Sequence, residues 1–211
     1  MKATVQRYNL ILAPVLVAGI PLLLYTLDDV PRRTVLKETL SLLTLLGFCF
    51  LLGQFYLSRS HRMVRRFRMS RVLRVHQWIG YGFTGLLLLH PFFIVVPRFF
   101  EAGVAPGEAF LTMITTFTTP GILLGLTAWG LLLLLLLTSW ARRRLGLRYK
   151  TWRWFHGVLS LVFLITALWH ALDLGRHTTG PLAFYLIAGA VLGAGPLVQR
   201  YRSEIKTGVT S

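Results

Sequence analysis

The sequence predicts an all-α protein, a polytopic bundle of six transmembrane helices forming one domain over residues 1–211. Three observations predict it. Of the 211 residues, 55% are hydrophobic and only 14% charged, with a mean hydropathy of +0.62, too apolar for a water-soluble domain. The apolar residues fall into runs long enough to cross a bilayer, which takes about 20 residues. The lysines and arginines, which set a net charge of +16, gather in short clusters between those runs. That distribution orients a membrane protein rather than coating a nucleic-acid surface, so the lipid bilayer is an expected partner and nucleic acid is not.

Each span follows from local composition. Residues 9–27 form the first, closed by Asp28, Asp29 and Pro31; its prolines are tolerable because neighbouring helices can satisfy the freed backbone groups. Its lack of a cleavage pattern marks it as a retained helix rather than a signal peptide. Residues 38–57 form the second. The stretch 58–74 then carries seven arginines and no acid, a water-facing loop against anionic headgroups, with His61 solvated in it. Residues 75–96 form the third span, and Pro91 within it predicts a kink. Residues 97–119 are more polar and read as a loop with an interfacial segment. Pro120 suits a helix N-terminus and opens the fourth span, 120–140. A second basic loop, 141–154, precedes the fifth span at 155–172, and the sixth covers 181–198. The single cysteine, Cys49, lies inside the second span and reads as a small buried hydrophobe.

Six spans put both termini and two long loops on one side. That side holds 18 of the 23 lysines and arginines, whereas six of the seven acids fall opposite. The positive-inside rule makes both termini cytoplasmic in a multi-pass inner (plasma) membrane protein. Spans three and five then run in the same direction.

Those two spans carry the chemistry. His76 and His90 lie fourteen positions apart in span three, and His156 and His170 lie fourteen apart in span five. Fourteen steps of about 100° fall about 40° short of four turns and rise about 21 Å, so both histidines of a span share a face. Parallel helices can set His76 opposite His156 near the basic side and His90 opposite His170 near the acidic side. A lone membrane histidine often makes only an interhelical hydrogen bond. Two matched pairs at matched depths instead describe two stacked bis-imidazole sites, and the natural occupant is a planar iron macrocycle.

No aspartate, glutamate or cysteine lies near these histidines within the spans, which disfavours zinc, copper or di-iron centres. No Cys-x-x-Cys-His sequence occurs, so the haem is expected to be non-covalent haem b, two per chain, with all four histidines as axial iron ligands. Gly80 and Ser160, four positions after the first histidine of each pair, leave room for a flat ring. Phe83 and Phe163, seven after it, are placed to fill the gap between levels. Haem propionates call for cations at the rim: Arg74 and Arg153, with Arg71, for the inner level, and Arg98, Arg176 and His177 for the outer. Trp78, Trp152, Trp154, Trp169 and Tyr149 mostly flank span ends and read as an interfacial belt.

With these histidines in place, and with the basic entry 145–156 into span five, the whole chain resembles the ferric reductase-like transmembrane superfamily. That group includes ferric reductases, NADPH oxidases, six-transmembrane metalloreductases and the haem-binding membrane subunit of the periplasmic methionine sulfoxide reductase system. The resemblance implies haem b between the third and fifth helices and electron passage from cytoplasm to outer face. Oxidases and full ferric reductases continue into a flavin and nicotinamide domain, whereas this sequence ends thirteen residues after its last span. The expectation is therefore an oxidoreductase component without catalytic residues of its own. It relays electrons from a separate cytoplasmic flavoprotein, or from quinol, to an outer-face acceptor, with any flavin or quinone carried by the partner. Alternatives are a membrane subunit feeding a periplasmic reductase, and a carrier of protons or metal ions. The carrier expects acids at mid-membrane, and the spans hold none.

Overall fold

The computed structural model describes residues 15–57, 69–116 and 119–206. A π-helical turn, Val15–Gly19, leads into α1 (Ile20–Leu27), followed by α2 (Val35–Leu57), α3 (Met69–Leu88) and α4 (His90–Ala102). Next come α5 (Pro106–Thr115), α6 (Pro120–Trp140), α7 (Tyr149–Leu174) and α8 (Gly180–Lys206). The described elements are all helical. Five stretches are long and apolar enough to cross a membrane: α2, α3 with α4, α6, α7 and α8. The chain is thus a multi-pass membrane protein. Val15–Leu27 is apolar but shorter; residues 9–14 of the predicted first span, and His61, lie outside the described residues.

Several boundaries differ from expectation, for one reason. Hydropathy marks where lipid stops, whereas a helix continues as long as its backbone hydrogen bonds do. The third crossing is accordingly already helical at Met69 and, after a break, reaches Ala102 rather than residue 96; α7 starts at Tyr149 rather than 155; α8 is still helical at Lys206, beyond residue 198. Basic residues expected in loops therefore stand on helices. The expected loop 97–119 contains α5, whose Pro106 occupies the first turn where no intrahelical N–H is needed. Gly103, at φ 67°, closes α4 in the left-handed conformation.

Side-chain bonds fix the packing. Ser139 and Gly121, at opposite ends of α6, meet His156 and His170, at opposite ends of α7, so these helices are antiparallel. Thr44 and Phe50 of α2 meet His90 and Phe83 of the third crossing in the same sense. Leu182 and Leu186 of α8 and Cys49 of α2 are among the most buried side chains of the core. Phe184 and Leu192, also on α8, are 75% and 72% exposed, on a face that lipid covers in a membrane.

The break at Leu89 has a local cause. Pro91 has no N–H to return to the carbonyl of Leu87, and the Phe92 N–H bonds Leu89 instead of Leu88. The Leu88 carbonyl is taken by the indole N–H of Trp129 on α6, at 3.0 Å. The expected kink is present, pinned from a neighbouring helix.

Candidate functional site

His76 on α3 and His156 on α7 line one cavity of about 500 Å³. His90 at the start of α4 and His170 on α7 line a second, of about 400 Å³. Each cavity thus joins one imidazole from the third crossing to one from α7.

The outer pair is the more fully defined. The Thr44 hydroxyl gives its proton to the Leu40 carbonyl at 2.9 Å, which leaves a lone pair to accept from His90 Nδ1–H at 3.2 Å. His170 Nδ1 lies 2.8 Å from the carbonyl oxygen of Gly121. A carbonyl can only accept, so this nitrogen carries the proton. In a neutral ring this arrangement leaves the Nε2 lone pair for a metal, with an oxygen on another helix setting the tautomer. The two ring centroids stand 6.3 Å apart with planes at 71°.

Two glycines of α6 make this possible. A Cβ on Gly125 would lie 2.5 Å from His170 Nδ1, so only glycine lets the ring reach the helix. Gly121, besides accepting from His170, donates its N–H to Asp173 Oδ2 at 3.0 Å. A carboxylate from α7 thus satisfies one of the orphan donors at the N-terminus of α6, one turn beyond the histidine on its own helix.

At the inner level, His156 Nδ1 lies 3.4 Å from Ser139 Oγ, and Trp152 stacks on the imidazole at 5.0 Å and 18°. Gly80 lines the cavity, and a Cβ there would meet nothing within 4 Å. Ser160 Oγ turns back to the His156 carbonyl at 2.7 Å and adds little bulk. Both small residues border open volume, as the spacing predicted.

Phe163 and Leu132 line both cavities and stand between them. Phe163 is 5% exposed. Phe83 borders neither; it stacks on Phe50 of α2, 4.2 Å apart and nearly coplanar at 5°.

The rim differs in detail from the sequence reading. Arg74 is exposed, and Arg153 pairs with Glu204 at 3.1 Å. The inner cavity is lined instead by Arg142, whose guanidinium lies over the rings of Trp152 and Tyr149 at 4.6 and 4.8 Å. Arg176 and His177 do line the outer cavity, joined by Arg33, whereas Arg98 does not. His177 is also a fastening: Nδ1 meets Asp28 at 2.6 Å, Nε2 lies 3.2 Å from Glu38, and the Tyr25 ring lies against it, tilted by 39°, while its hydroxyl donates to Glu38 at 2.5 Å.

Sequence reasoning missed Thr44, Gly121, Gly125, Gln54 and Arg142. The first four sit in spans that read as featureless, and Arg142 is one of six cations in a single loop. Among the described residues, no three His, Cys, Asp or Glu side chains gather where they could hold a metal ion. What each level offers is a pair of imidazoles lining one cavity.

Comparison with known proteins places the chain in a family. The model of the ferric reductase like transmembrane component matches residues 43–167, more than half of the chain. That span includes His76, His90 and His156 and stops three residues short of His170. The chain is also 40% identical over 165 residues to an uncharacterised protein of Archaeoglobus fulgidus, covering 77% of this chain and 87% of that one. No solved structure matches it. The chain belongs to the ferric reductase-like transmembrane family.

Proposed function

We propose that this family member is a b-type cytochrome holding two haems, one per cavity, and that it relays electrons across the membrane from a cytoplasmic donor to an outer-face acceptor. The observation that carries the reading is the outer pair, in which both Nδ1 atoms are committed to oxygens of other helices. The two rings, with centroids 6.3 Å apart, line one cavity and would hold one iron between them.

His90 and His170 would be the axial ligands of the outer haem, and His76 and His156 those of the inner one. The bound iron supplies reversible one-electron redox chemistry. The protein's part is to fix the ligands, exclude water and set the electrostatics. Thr44 and Gly121 hold the outer rings in orientation, and their acceptor oxygens raise the basicity of Nε2. Phe163 and Leu132 keep the gap between levels apolar.

The basic end, with Arg142 and the helical arginines of α3 and α7, is read as cytoplasmic, with residues 9–27 as a sixth span and both termini inside. The donor there is a separate flavoprotein or quinol. Purification from haem-replete cells followed by haem quantitation tests the reading. Two haems b per chain are expected, falling to one in His90→Ala or His170→Ala; full occupancy in either variant would overturn the ligand assignment.

A further inference from the structure

The inner cavity contains polar groups that ligation by histidine does not use. Gln54, on α2, is 7% exposed, and among the described residues neither its amide nitrogen nor its oxygen has a hydrogen-bond partner. The indole Nε1 of Trp152 is likewise buried without one. Both side chains line the cavity shared by His76 and His156, as does Arg142. Buried amide and indole donors are normally satisfied, and leaving them bare is costly. The set is strongly biased: two N–H donors from Gln54, one from Trp152 and a guanidinium, against the one amide oxygen that a bridging water can satisfy.

We infer that Gln54, Trp152 and Arg142 form a carboxylate-binding set that receives the propionates of the inner haem. This rests on the two-haem reading and adds the anchor, which the rim cations Arg74 and Arg153 do not supply. A carboxylate has acceptors only, the complement of the N–H groups of Gln54, Trp152 and Arg142. Arg142 is held by its stack on Trp152 and Tyr149, and Trp152 in turn stacks on His156. Anchoring and ligation are thus coupled through one ring.

The test uses the full chain carrying His90→Ala, so that only the inner level binds, produced under haem limitation. It is titrated with haemin and with haemin dimethyl ester, whose propionates cannot ionise. Haemin is expected to bind tighter by about tenfold or more, the effect of charge-assisted hydrogen bonds. Gln54→Leu and Arg142→Gln should each shrink that preference. Trp152→Phe, which keeps an aromatic ring beside His156 and removes the N–H, should shrink it too. Equal affinity for acid and ester, or a full preference surviving in all three variants, overturns the inference. Failure of both porphyrins to bind would instead overturn the two-haem reading on which it rests.

Discussion

His170 Nδ1 meets the carbonyl oxygen of Gly121 at 2.8 Å, and the same glycine gives its N–H to Asp173 on the helix that carries the histidine. One residue of α6 therefore fixes both the tautomer of an imidazole and the docking of the helix presenting it. A site that must hold an imidazole in one orientation gains most from such a backbone acceptor, since no rotamer change can remove it.

Close approach at Gly125 yields the first prediction. A methyl group there meets His170 Nδ1 at 2.5 Å, and overpacking of this kind costs about 1–3 kcal/mol. Gly125→Ala should lose the outer haem and keep the inner one, halving the haem measured per chain.

Thr44→Val retains the shape of the side chain and removes the acceptor for His90. Loss of such an outer partner typically weakens metal binding about 10–100-fold. Faster haem transfer to apomyoglobin from one of the two sites should report it, with the other site unchanged.

Trp129→Phe leaves the Leu88 carbonyl without its donor at the helix break. An unsatisfied buried carbonyl costs about 1–3 kcal/mol, so the melting temperature in detergent should fall. Trp129 also lines the outer cavity, so any change in the haem spectrum is expected at the outer level alone.

His177→Phe preserves a ring against Tyr25 and removes both contacts to Asp28 and Glu38. Those carboxylates keep Arg32 at 3.1 Å and Arg33 at 3.0 Å, so the loss should be moderate, about 1–3 kcal/mol. Thermal unfolding and protease cleavage between α1 and α2 would measure it.

The histidine pairing was legible in the sequence because fourteen-residue spacing and helix direction are both one-dimensional facts. The fourth span was legible too: Pro120 and the basic run after Trp140 bound it chemically, and α6 has those limits. The ends of α3, α7 and α8 were not, because arginine-bearing turns continue the helix beyond the apolar stretch. Nor were the supporting groups. Gln54 and Thr44 resemble any polar residue on a membrane helix until another helix is laid against them. Arg142 is separated from its five neighbouring cations only by the 3₁₀ turn Ala141–Arg143, which follows α6 and carries it towards Trp152.

The account depends on two pairs of imidazoles each gripping one iron. Low-temperature electron paramagnetic resonance of the oxidised protein, with haem quantified on the same sample, tests that most directly. Two low-spin ferric haems per chain are predicted, one of them lost in His170→Ala. A colourless protein from haem-replete cells, or high-spin iron at both levels, would contradict it.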